Sequence, residues 1–278
     1  MVRAALLVGL LFLCAFAQPS SPEELVFKKI QTILGAQKYA QNSAFIKIVF
    51  SPAEKFMRND RVDAVKVVET LKENGLLDLF FNKPTDIVLE FRTNGAPLFF
   101  VKIVSDTLRD IGYYRFVTDA SKYNNSEFRW SVGITSEYAA DPMILQKELQ
   151  KRGCSIIDIQ RETPTKWSYT IDMHDARLPV EKLQSGYVTK LRRSLFPYWL
   201  GVSKIRRLRI VSRLQNHWYP DISFYDAQLH LIKVIERDKR SYDITLAVPK
   251  NARYIKIADL YTMKNIKSSL ELHPVGSR

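Results

Sequence analysis

The apolar pattern of this chain changes character once, near residue 203, and that change limits the folds open to it. Before it, capped helical stretches alternate with short β-branched and aromatic runs. After it only strand-like runs follow, at 204–214, 222–235, 242–248, 253–257 and 266–272. Spacing of roughly ten residues between such runs is the pattern of a small all-β domain. Tyr242, Ile244, Leu246 and Val248 alternate with Asp243, Thr245 and Ala247, so one face of that strand is built for burial. Residues 203–278 are therefore expected to form a β-sandwich or barrel.

The earlier part reads as α/β. Ser21, Pro22 and Glu24 combine an N-cap, a proline at the first helical position and a capping-box glutamate. Val26, Phe27, Ile30, Ile33 and Leu34 then form one apolar stripe, and Gly35 ends it. A strand is expected at 45–50, followed by a helix from Asn59 or Asp60 to Asn74-Gly75. Next come a strand at 86–93, an Asn94-Gly95 hairpin turn and a return strand at 97–103. A short helix capped by Asp106 and a strand at 113–118 follow. A similar order recurs downstream: a strand at 128–134, a helix from Asp141-Pro142 to Gly153, strands at 154–160 and 166–173, a helix at 179–193 and a strand at 198–202.

The two hairpins correspond at an offset of 68. Leu89, Phe91, Phe99, Val101 and Ile103 map onto Ile157, Ile159, Trp167, Tyr169 and Ile171, each on its own side of the pleat. The expected fold class is α+β, with two ferredoxin-like, split βαβ modules followed by the β-domain. The expected divisions are a signal peptide at 1–17, an N-terminal helix at 18–43, modules at 44–125 and 126–202, and the β-domain at 203–278.

Arg3, the apolar run 4–16 and the Ala15-Phe16-Ala17 site before Gln18 have the three parts of a secretory signal peptide. The run falls short of the roughly 20 residues that span a bilayer, and no second long apolar run follows. Retention as an anchor is the alternative. Cleavage removes Cys14 and leaves Cys154 alone, so no internal disulfide can form and hydrophobic cores must hold the domains. The composition, 46% hydrophobic and 26% charged, suits that task.

The formal net charge is +13, and from Lys182 to Pro220 there is no Asp or Glu. In a strand over 204–214, Ile205, Arg207, Arg209, Val211 and Arg213 share a face. Guanidinium forks bind phosphate and carboxylate in a bidentate manner. Arg206, Arg207, Arg209 and Arg213, with Trp218 and Tyr219 nearby, form the candidate patch for an anion or a partner. The alternative is a solvated face, or ion pairs with Asp221, Glu236 or Asp238. For an exported chain the natural polyanions are phosphorylated lipids, acidic glycans, cell-wall polymers or an acidic partner protein; nucleic acid is not expected.

Other chemistry leaves little trace. His217, Asp221, Asp226 and His230 lie near one another in sequence, but their spacing matches no zinc motif, and neither metal nor cofactor is expected. Cys154 has no histidine beside it and reads as a small buried hydrophobe. Phosphate loops, G-x-G-x-x-G, H-E-x-x-H and G-x-S-x-G are all missing. The expectation is a non-enzymatic structural or adaptor protein of the cell envelope, periplasmic or secreted, acting on a protein partner within a machine such as a secretion or motility apparatus. A binding module for anionic glycan or lipid is the second reading, and a hydrolase whose carboxylates meet only in space is the third. The mature protein is expected to begin at Gln18, which N-terminal mass spectrometry checks; a terminus at Met1 or an acylated Cys14 would sink the soluble reading.

Overall fold

A computed structural model of the chain describes residues 21–124 and 126–276; the expected leader and its cleavage site lie outside the described residues. Helix α1 (Pro22–Leu34) begins as expected, with Ser21 Oγ accepting from Glu24 N at 3.2 Å. Val26, Ile30 and Ile33 are buried along one stripe. Gly35, at φ 82°, turns the chain into α2 (Ala36–Gln41), and α3 (Ser43–Val49) follows. The strand expected at 45–50 is therefore helical. Ile46 and Phe50, one helical turn apart, are the buried pair, whereas Phe45 and Ile48 are exposed. The burial period is 3.6 and not 2.

A 3-10 turn at Ala53–Phe56 leads into a short hairpin of β1 (Met57–Arg58) and β2 (Arg61–Val62). Asn59 and Asp60 form its tight turn, both at positive φ, so neither caps a helix. That role passes to Asp63, whose carboxylate accepts from Lys66 N at 3.1 Å at the start of α4 (Ala64–Glu73).

Next come β3 (Phe80–Thr93), α5 (Pro97–Asp110), β4 (Val117–Tyr123), β5 (Phe128–Tyr138), α6 (Pro142–Lys151), β6 (Ser155–Thr163) and β7 (Lys166–Asp172). The return strand expected at 97–103 is the first half of α5. Phe99, Phe100, Ile103, Val104 and Leu108 are its buried apolar residues; the alternation of Phe99, Val101 and Ile103 is a subset of a helical pattern. Asp106, expected as a cap, sits inside α5 and pairs with Lys102 at 2.5 Å. Gly95 permits a close approach: a Cβ there would meet Met173 Sδ at 2.8 Å.

The five strands form one sheet, in the order β4-β5-β3-β7-β6. The division expected at 125/126 runs through this sheet. The second expected hairpin is present, since β6 and β7 pair antiparallel, but the first is not, because its return strand is helical. Leu89 and Phe91 instead lie opposite Trp167 and Tyr169, because β3 and β7 pair in parallel. On the buried face the Phe91 ring stands 5.6 Å from Tyr169 and 6.3 Å from Trp130. This row of aromatic side chains shares one core with residues of α1, α4, α5 and α6.

The helix expected at 179–193 is absent, and the segment is extended. Gly186 adopts φ 83°, while Leu183 and Leu191 point into a second core. That core draws on residues of two four-stranded antiparallel sheets. They are built from β8 (Thr189–Leu191), β9 (Tyr198–Gly201), β10 (Arg207–Ser212), β11 (Pro220–Tyr225), β12 (Leu231–Glu236), β13 (Asp243–Ala247), β14 (Tyr254–Asp259) and β15 (Leu270–Val275). The orders are β13-β10-β15-β8 and β12-β11-β14-β9. No sheet closes into a barrel among the described residues. The expected single run at 222–235 is two strands, split where the Asp226 carboxylate accepts from Gln228 N and His230 N. The β-region begins with β8, ahead of residue 203. It is joined to the α/β part by Leu178 N donating to Tyr254 Oη at 3.2 Å and by Lys102 Nζ, 5.5 Å from the centre of the Trp199 ring.

The overall protein is thus mixed α/β, with six α-helices among the described residues. Replacing Phe91 with Ala removes the middle ring of the aromatic row from a fully buried site. Such a cavity costs about 3–5 kcal/mol, so chemical denaturation of Phe91→Ala should show a loss of that size; a loss within that of a surface substitution would contradict the packing described.

Candidate functional site

Arg207, Arg209 and Arg213 are all exposed and alternate with buried residues, as expected, but two of the three are paired with acids. Arg209 clamps Asp243 through Nε, at 3.0 Å to both carboxylate oxygens, and through Nη2. These hydrogen bonds hold the Asp243 carboxyl below its ordinary pKa. Arg213 Nη2 donates to Glu271 Oε1 at 2.9 Å. Arg207 is exposed and has no ion-pair partner among the described residues. Arg206 lies against Gly276, and Ile205, expected beside the arginines, is fully buried. Trp218 is also fully buried and donates Nε1 to Ala258 O at 2.8 Å. Tyr219 is half-buried, its ring set edge-on to Tyr261 at 5.1 Å. The physical reason is sheet pairing: β13 and β15 flank β10 and bring acids from 34 and 58 residues away. An acid-free stretch of sequence is not an acid-free surface.

The histidines and carboxylates at 217–230 also separate. His230 Nδ1 lies 3.0 Å from Asp226 Oδ2, and Asp221 pairs with Lys256 at 3.5 Å. Among the described residues, no three His, Cys, Asp or Glu side chains are placed to hold a metal ion. Cys154 is 2% exposed, and burial pushes its thiol up to about 12.

A different feature is concave. A cleft of about 1050 Å³ opens at one end of the five-stranded sheet, where the end of α4, the start of β3, the segment after α5 and the end of β5 converge. Its rim carries Phe80, Tyr114, Tyr138 and Ile144, all exposed. Phe80 and Tyr138 are opposite each other across the β3/β5 pair, with rings 5.1 Å apart. Tyr113 Oη donates to Tyr138 O at 3.2 Å, and burial raises the Tyr113 phenol above its ordinary pKa. Below it the fully buried Tyr169 donates to Ala140 O at 3.0 Å.

The charged groups of the cleft are largely engaged. Asp141 caps α6 by accepting from Met143 N at 2.9 Å and pairs with Lys72 at 2.6 Å. Asp78 accepts from Phe80 N at 2.8 Å. Arg115 is the remaining charged group in the lining. The arrangement offers flat aromatic surface and few free charges, which suits binding of an apolar group and provides no free carboxylate pair. Sequence reasoning did not assemble this cleft. Its only signal was the placing of Tyr113, Tyr114 and Tyr138 beside the helix-ending Gly112 and the helix-starting Asp141.

Comparison with known protein families, with curated proteins and with solved structures found no match. The functional reading therefore rests on these surfaces.

Cys154 supplies a direct check on the packing behind α6. A thiol held at about 12 carries almost no thiolate near neutral pH. Alkylating reagents should leave Cys154 of the folded protein unmodified and label it stoichiometrically once the protein is unfolded in denaturant. Fast labelling of Cys154 in the folded protein would contradict this burial.

Proposed function

We propose that this is an exported, non-enzymatic adaptor of the cell envelope that grips a protein partner in the aromatic cleft at the end of the five-stranded sheet. The observation that carries the reading is the cleft: about 1050 Å³, with Phe80, Tyr114 and Tyr138 at its rim. Recognition pockets are concave and mainly apolar with few polar groups, and aromatic side chains dominate the energetics of protein interfaces. Two cations, Lys72 and Arg115, balance two acids, Asp78 and Asp141, in the lining. The occupant is accordingly an uncharged segment bearing aromatic or large aliphatic side chains.

The same proposal carries a finer reading of the fold. The order β4-β5-β3 with α5 crossing between β3 and β4 supports a single ferredoxin-like split βαβ unit, extended by β7. The two C-terminal sheet orders support a two-sheet sandwich of jelly-roll connectivity, since strands from both halves of the region alternate in each sheet.

Peptides selected from a random display library on the immobilised protein test the cleft. They should be rich in aromatic residues and poor in charge, and titration calorimetry should give one site per chain. Ile144→Asp places a charge on the exposed rim and should weaken that binding by at least about tenfold. Selected peptides that bind equally to wild type, Ile144→Asp and Tyr114→Ala would overturn the assignment.

A further inference from the structure

The β-region has an end unlike the rest of the molecule. In one sheet, Leu191 of β8 lies opposite Leu270 of β15, Ser212 of β10 also opposite Leu270, and Val211 opposite Asp243 of β13. In the other, Tyr198 of β9 lies opposite Ile257, Pro220 of β11 opposite Asp259 of β14, and Asp221 opposite Glu236 of β12. The connections 192–197, 213–219, 237–242 and 260–269 thus all leave from the same edge of the two sheets. They hold eight lysines and arginines and one acid, Asp238.

Two of the eight are structural: Arg213 pairs with Glu271, and Arg240 donates to the carbonyls of Asn216 and Leu214. The other six, among them Arg192, Arg193 and Lys264, are exposed and have no carboxylate at ion-pair distance among the described residues. Between these cations stand large apolar side chains at separate loop tips: Leu195 at 62% exposure, Phe196 at 73%, Leu214 at 79% and Tyr261 at 64%.

The loops are held in shape. The buried Asp259 carboxylate accepts from Tyr219 N, Tyr261 N, Thr262 N and Asn265 Nδ2. Ser194 Oγ accepts from Phe196 N at 3.0 Å and donates to Phe196 O, which fixes the turn that carries Leu195 and Phe196. The apolar tips are therefore presented outward by an ordered framework.

We propose that this loop end docks on an anionic lipid surface. Separate apolar tips ringed by cations match a bilayer boundary, where apolar side chains enter between headgroups and Lys and Arg meet lipid phosphates. A soluble acidic glycan would use the cations but leave the tips in water. Among the described residues no helix is long and apolar enough to cross a membrane. The surface is distinct from the aromatic cleft, and either assignment can fail without the other.

Sedimentation of the full protein with vesicles tests it, using phosphatidylcholine alone and phosphatidylcholine mixed with phosphatidylglycerol. The expected result is binding to the mixed vesicles only, weakened as salt rises. The charge-reversing variant R192E/R193E/K264E should bind at least about tenfold more weakly, and L195S/F196S should lose binding at unchanged charge. In Phe196→Trp, the indole emission should shift to the blue on mixed vesicles, because the new ring leaves water. Thermal melting of each variant checks that the fold is kept. Equal binding to both vesicle types, no binding to either, or full binding by L195S/F196S would overturn the proposal. Binding to heparin with no binding to vesicles would overturn it in favour of a soluble polyanion.

Discussion

Phe91 is the centre of the α/β part. It lies on the middle strand of the five, with Trp130 on one neighbour and Tyr169 on the other. Four helices bury their apolar stripes in the core that includes these rings. Among the described residues the single cysteine is free and buried, and no disulfide replaces that contact. Aromatic pairs at such distances add about 0.5–1.5 kcal/mol each beyond the area they bury. The cleft depends on this arrangement, since its floor and rim come from the ends of β3 and β5.

Much of the local structure was legible where polar signals mark helix ends. Ser21-Pro22 and Asp141-Pro142 cap the helices expected of them, because a cap is a contact among near neighbours. The errors share one cause. In the 97–103 and 45–50 runs, apolar residues are dense enough to satisfy both period 2 and period 3.6, and only the partners across the core decide between them. At 179–193 the helical stripe was real as spacing, but Leu183 and Leu191 are buried in the second core, among strand residues. Pairing β3 with β7 joins residues about 78 positions apart, a distance at which local pattern carries no information. The cleft was illegible for the same reason: Lys72 and Asp141 are 69 residues apart and meet only in the tertiary fold.

Charge shows the difference between sequence and surface most clearly. The acid-free stretch predicted a basic strand face, yet Arg209 and Arg213 are neutralised by carboxylates from neighbouring strands. Strand faces are shared, so each strand's charge is answered by the strands beside it. Loops have fewer such neighbours. The excess positive charge of this chain is for that reason felt most at the connections between strands, where the unpaired cations stand beside apolar tips.

Three of the four groups that Asp259 binds are main-chain N–H groups, at Tyr219, Tyr261 and Thr262. A side chain can be exchanged without removing its own N–H, proline excepted. The shape of this loop end is therefore largely independent of the identity of the residues it displays. Tips can be lengthened, made polar or recharged while the frame beneath them stands, as in scaffolds whose binding loops vary over a constant sheet. By contrast, the substitution Asp259→Ala would release both loops at once. The end is built so that what it recognises can drift during evolution while one carboxylate continues to tie two of its loops together.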